Sequence, residues 1–127
     1  MHPLKKQPYE YEEAPVEVPS PVEILDQLYA KALSECQRAT ELIAERDAMG
    51  KGRAINKVLE IVDTLALALD HSVAPELCSC LESLYVYVQD QLQKANQEFD
   101  AAPIADAVKI LTTLRGAFAE ASSAVKP

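Results

Sequence analysis

The 127 residues include no Trp, two His, three Cys and three Gly, and each shortage excludes a class of protein. With only His2 and His71 available, neither a His-Glu-x-x-His motif nor the paired Glu-x-x-His ligands of carboxylate metal bundles can be assembled. A phosphotransfer bundle needs an exposed His within a helix, and His71 falls near a helix end. Three Cys cannot all pair within one chain, which fits a reducing compartment better than a disulfide framework. Cys78-Ser79-Cys80 lacks the C-x-x-C spacing, and two residues apart on a helix its thiols point to nearly opposite sides. Gly50-Lys51-Gly52 has neither Walker spacing nor a preceding strand, so it is no phosphate loop. No apolar run is long enough to span a bilayer, and Pro and Glu interrupt the first 20 residues where a secretory signal would need an apolar core. Cations are scarce as well: 12 Lys plus Arg against 20 Asp plus Glu leave a net charge of -8, the wrong sign for tracking a polyphosphate or an anionic membrane. The expectation is a cytoplasmic protein that is not an enzyme. It should use no metal or cofactor, bind no nucleic acid and insert into no membrane.

A chain with three Gly and abundant Ala has too few turn formers for many short strands, and its length suits one domain with one core. Residues 1–19 stand apart. They carry Pro3, Pro8, Pro15 and Pro19, together with Tyr9, Tyr11 and four Glu, and show no helical or strand period, so they read as an extended arm. Leu4, Tyr9, Tyr11, Val16 and Val18 give that arm apolar surface, and both a solvated tail and a docked arm are open. Residues 20–127 form the folded part. Ser20-Pro21-Val22-Glu23 is a helix start with a capping Ser, Pro at the first position and Glu to complete a capping box. Val22, Leu25, Tyr29, Ala32, Cys36, Ala39 and Ile43 then alternate spacings of three and four, one stripe along a helix.

The run Met49-Gly50-Lys51-Gly52 reads as a helix end and turn. Ile55, Val58, Val62, Leu65 and Leu69 mark a second helix. Pro75 opens a third, with Leu77, Leu81, Leu84, Val88, Leu92 and Ala95 as its stripe and Tyr85 and Tyr87 beside it. Pro103 opens a fourth, carrying Ile104, Ala107, Leu111, Leu114, Phe118, Ala121 and Val125. The helices are expected at about 21–47, 53–71, 75–97 and 103–124. Amphipathic helices of this length joined by short loops pack as antiparallel neighbours. The predicted fold is therefore all-α, an antiparallel up-down four-helix bundle with an extended N-terminal arm. Such an object usually binds other proteins.

In order along the chain stand Gln7-Pro8-Tyr9, Ser20-Pro21 leading into Leu28-Tyr29-Ala30-Lys31-Ala32-Leu33, Leu84-Tyr85-Val86-Tyr87, Ala95-Asn96, and Leu114-Arg115-Gly116-Ala117-Phe118. The set resembles the flagellar secretion chaperone family FliS over nearly the whole chain. In that family an Asn-Pro-Tyr arm precedes a Ser/Thr-Pro helix start and a Leu-Tyr-Asp-Gly-type segment, a Leu-Tyr-Asp-Tyr helix ends in Ala-Asn, and the last helix carries an aromatic after an Ala. Here Ala30-Lys31 replaces Asp-Gly, Val86 replaces the Asp between the tyrosines, Asp90-Gln91 stands where an Arg pair is frequent, and Phe118 replaces a Trp.

The resemblance implies a cytoplasmic export chaperone without enzymatic activity. It would bind the disordered C-terminal segment of flagellin, prevent premature polymerisation and hand it to the flagellar type III export apparatus, touching the export gate. The other reading is a regulatory adaptor that sequesters another flagellar export or assembly factor. By position, Pro8, Tyr9 and Tyr11 match an arm thought to cover part of the client groove. Leu28 and Tyr29, with Leu84, Tyr85, Val88, Leu92 and Asn96, match segments that line or support it. Leu84, Val88 and Leu92 lie on the core repeat, where burial is the ordinary outcome, and an Asn at a helix end is often merely a cap. The implied assembly is a monomer or weak homodimer.

Overall fold

The structure, a computed structural model, describes residues 18–125; the arm residues Pro8, Tyr9 and Tyr11 lie outside them. Four helices follow one another: α1 (Pro21–Ala44), α2 (Ala48–Leu67), α3 (Pro75–Glu98) and α4 (Ala102–Val125). There is no strand among the described residues. α1 packs against α2 and α4, and α3 against the same two, so the helices form a ring in chain order around one core. This is the antiparallel up-down bundle that the four stripes predict.

α1 starts as its sequence dictates. The Ser20 hydroxyl accepts from the Glu23 amide at 3.1 Å, and the Glu23 carboxylate accepts in return from the Ser20 amide at 2.9 Å. Such a box is worth about 1 kcal/mol. The helix then ends sooner than expected. Arg46, with φ of 63°, turns the chain in the left-handed region, and Asp47 caps α2 by accepting from the Gly50 amide at 2.9 Å.

Gly50, Lys51 and Gly52 therefore lie inside the first turns of α2, and the turn expected at 49–52 falls at 45–47. The physical reason is local. A Cβ on Gly50 would stand 2.6 Å from the Asp47 carboxylate, so this glycine leaves room for a cap where its usual reading is a stop. At the far end, α2 stops at Leu67 and not near residue 71.

The core holds Tyr29, Ala32, Cys36, Ala39 and Ile43 of α1, Ile55, Val58, Val62 and Leu65 of α2, and Ile104, Ala107, Leu111 and Leu114 of α4. α3 differs from its expected stripe. Cys78, Leu81, Tyr85, Val88, Leu92 and Ala95 are buried, Leu77 is 58% exposed, and Leu84 is half-buried. The helix is rotated so that Tyr85 enters the centre, because a hydrogen-bond partner waits there: the Tyr29 hydroxyl lies 2.7 Å from the Tyr85 hydroxyl, joining α1 and α3 across the ring. Cys78 is buried and Cys80 exposed, as their spacing requires.

The α2–α3 connection is stiffened by Asp70, which accepts from the amide and hydroxyl of Ser72. At the opposite end of the bundle, Lys51 is 7% exposed. Its ammonium donates to the Asn96 backbone carbonyl at 2.7 Å and to Asn96 Oδ1 at 2.5 Å, and lies 4.5 Å from the centroid of the Phe99 ring. α3 has no basic residue in its own last turn, so α2 supplies the cation that its carbonyl end favours.

Candidate functional site

The core stripes of α1 and α4 do not stay covered to their ends. Val22, first in the α1 stripe, is 43% exposed, and Ala121 near the end of α4 is exposed. At this end of the α1–α4 pair lies a cleft of about 560 Å³ lined by Val18, Pro19, Val22, Tyr29, Phe118 and Ala119, together with Glu23, Asp26, Gln27, Arg115, Ser122 and Ser123. Its floor is aromatic: the Tyr29 and Phe118 rings stack with centroids 6.0 Å apart and planes inclined by 29°. The Tyr29 hydroxyl is held from below by Tyr85, so the floor is anchored through the core to α3.

Further along the same pair of helices, a second apolar stretch of about 690 Å³ is lined by Leu33, Cys36, Gln37, Thr40, Ala101, Ala102, Ile104, Ala105, Val108 and Thr112. Small residues create it, since Ala101, Ala102 and Ala105 cannot fill the space beside α1. In the first cleft Arg115 reaches from α4 to α1. Its Nε and Nη2 donate to the two Asp26 oxygens at 2.7 and 3.1 Å, a bidentate pair. The hydrogen bond from Arg115 holds the Asp26 carboxyl below its ordinary value. A smaller hollow of about 200 Å³ between α3 and α4 is lined by Leu84, Lys109, Ile110, Thr113 and Leu114.

The residues expected at the site are thus divided among several places. Tyr29 forms part of the floor of the α1–α4 cleft. Leu84 lines the separate α3–α4 hollow. Leu28 packs half-buried against the core. Tyr85, Val88 and Leu92 are buried in the core and line none of these hollows; of the three, Tyr85 bonds to the cleft residue Tyr29. Asn96 is committed to Lys51 by both its backbone carbonyl and its side-chain oxygen. The sequence reading did not assign Val22, Asp26, Leu33, Ala105, Val108, Arg115 and Phe118 to a groove. A signal for some of them existed in the alanines facing the α1 stripe from the start of α4.

Burial, with the neighbouring Glu35 carboxylate, pushes the Cys36 thiol up to about 12, so it stays protonated and unreactive at neutral pH. Among the described residues no group of three or more His, Cys, Asp or Glu is placed to hold a metal ion. No helix there is long and apolar enough to cross a membrane.

The fold and its surface define an acidic helical bundle with hollows between α1 and α4. Comparison with known proteins makes this particular: the family model "Flagellar protein FliS" matches residues 5–125, and the chain belongs to the FliS family of flagellar secretion chaperones. It is 30% identical over 104 residues to the flagellar secretion chaperone FliS of Salmonella typhimurium, an alignment covering 81% of this chain and 77% of that one. With the FliS chaperone of Escherichia coli it shares 26% identity over 99 residues, covering 77% and 73% of the two chains.

Proposed function

We propose that this protein is a cytoplasmic, non-enzymatic chaperone that holds the disordered C-terminal segment of flagellin in the α1–α4 groove, keeps it from polymerising early and delivers it to the flagellar type III export apparatus. The observation that carries the reading is the groove itself, in a chain of this family. Two hollows lie along the same pair of antiparallel helices, one with Val22, Tyr29 and Phe118 in its lining and the other with Leu33, Ile104 and Val108. An amphipathic segment that folds on binding can lay its apolar face there. Part of the interaction energy then goes into ordering the segment, and the moderate affinity that results suits a partner that must be released.

Val18 and Pro19 line the cleft, and residues 1–17 precede them in the chain. The arm acts as an intramolecular competitor, shielding apolar surface until the client displaces it. The protein is then a monomer or weak homodimer while the arm is in place.

The test is titration calorimetry of the full chain with the synthetic C-terminal peptide of flagellin from the same organism, with size exclusion of the mixture. A one-to-one complex in the micromolar range or tighter is expected, weakened at least about tenfold by Ala105→Glu, which puts a charge into the groove at an exposed position. Removing residues 1–17 should tighten it. Absence of any complex at high micromolar concentration would overturn the reading and favour the adaptor for another export factor.

A further inference from the structure

We propose that the outer α2–α3 face, on the side of the bundle away from the client groove, docks a helical segment of a second protein whose apolar stripe is flanked by Lys or Arg. This goes beyond the client reading and uses none of the residues that line the α1–α4 hollows. One observation lies in the sequence. The stretch 58–93, between Lys57 and Lys94, holds six carboxylates, Glu60, Asp63, Asp70, Glu76, Glu82 and Asp90, and no Lys or Arg, so it carries most of the chain's net charge of -8. The other lies in the exposure. Of the nine large apolar side chains exposed among the described residues, five fall between residues 67 and 87, with Leu67 86% exposed and Val86 50%.

Two contacts across the α2–α3 seam fix its register. The Gln89 side-chain amide donates to Asp63 at 2.7 Å, and farther along the seam His71 Nε2 stands 4.0 Å from the Glu82 carboxylate. Leu67 follows Asp63 by one turn of α2, and Val86 lies between Gln89 and Glu82 on α3 at spacings of three and four. The two apolar side chains therefore share a row between these contacts. Carboxylates border that row on both helices. Glu60 and Asp63 stand seven and four residues before Leu67, and Glu82 and Asp90 stand four residues to either side of Val86. Those spacings put them on the same outer faces, and all four are exposed. A single exposed Leu is ordinary, but here a paired row coincides with a stretch without Lys or Arg. A helix that seats its apolar stripe on the row brings basic flanks to the carboxylates, and an acidic helix meets like charge. In the ring of helices α2 and α3 form the pair opposite α1 and α4, so this partner and the client can bind together.

The experiment uses fluorescence anisotropy on the full chain with three labelled probes of about 20 residues: a designed helix with a Leu/Ala stripe and Lys on both flanks, a scramble of the same composition without the stripe, and the same stripe with Glu flanks. At about 0.1 M salt the Lys-flanked helix is expected to bind about tenfold more tightly than either of the others. Leu67→Ser and Val86→Ser leave the charge unchanged and should each weaken it about fivefold, whereas Met49→Ser, also at an exposed position but at the other end of the bundle, should not. Glu60→Gln with Asp90→Asn should weaken it as well, and Glu45→Gln with Glu98→Gln, the same charge change on exposed residues of that other end, should not. Equal binding of the Lys-flanked helix and its scramble, or equal effects of either set of changes and its control, would overturn the proposal. Binding that appears only once residues 1–17, with Lys5 and Lys6, are removed would also overturn it, because the chain's own arm would then be the occupant. So would displacement of the Lys-flanked helix by the flagellin C-terminal peptide, which would put both on one site. If the flagellin peptide fails to bind while the Lys-flanked helix shows the expected pattern, the client reading fails and this one stands.

Discussion

Tyr29 and Tyr85 bring two hydroxyls into the middle of an otherwise apolar core, and each is tolerated there only because it has the other. Their oxygens lie 2.7 Å apart and both rings are buried. Truncating one leaves the other hydroxyl unpartnered, whereas removing both leaves two rings of nearly the same shape. Tyr85→Phe alone should therefore cost about 1–3 kcal/mol, and Tyr29→Phe with Tyr85→Phe clearly less than the sum of the single changes. Urea denaturation of the two single variants and the double variant closes the cycle; strictly additive costs would show that the bond contributes nothing. The sequence alone left Tyr85 beside the core stripe. Leu81, Leu84, Val88 and Leu81, Tyr85, Val88 both satisfy spacings of three and four, so periodicity cannot choose between them. The choice is made by Tyr29, 56 residues away in the chain, which offers the one polar partner in the core's centre. Asn96 shows the same limit. Its place at a helix end was legible, but its bond to Lys51 depends on a residue 45 positions earlier.

The helices illustrate how far local signals reach. The Ser20 capping box is contained within four residues, and it was readable because every participant is a near neighbour in sequence. Asp47 and Gly50 form a cap at the same spacing, but the two glycines read from sequence as a helix end and turn, and the cap was not identified. The two glycines now carry opposite predictions. A Cβ at Gly50 meets the Asp47 carboxylate at 2.6 Å, while a Cβ at Gly52 meets nothing within 4 Å. Gly50→Ala should displace the cap and lower stability, its gain in helix propensity offset by a cap worth about 1 kcal/mol. Gly52→Ala has no such cost and should raise stability by roughly 0.5–1 kcal/mol. Thermal unfolding of the two variants checks both signs. Equal shifts would mean that Asp47 does not hold the start of α2.

For the whole molecule, the buried phenols tie stability to pH. Burial, reinforced by the bond to Tyr85, drives the Tyr29 hydroxyl far above its ordinary value of 10.0, and burial also raises Tyr85, partly offset by the bond from Tyr29. Because the folded values lie above the unfolded ones, the stabilisation is complete below about pH 10 and is lost as pH rises beyond it, when unfolded phenols ionise and folded ones do not. The urea midpoint should hold steady from about pH 8 to 9 and fall above about pH 10, with tyrosinate absorbance from these two rings appearing only on unfolding. The variant with Phe at both positions should lose that part of the decline. Helix number, helix order, the start of α1 and membership of the family follow from spacing and short motifs, which are properties of one strand of chain read on its own. The bounds of α2, the pairing of Tyr29 with Tyr85 and the groove itself do not. Val22 and Ala121 continue their stripes as faithfully as any core residue. Both are nevertheless exposed, and Val22 lines the cleft between α1 and α4. A stripe records which side chains avoid water, but which of them find a neighbour is settled by the packing of another helix from far along the chain.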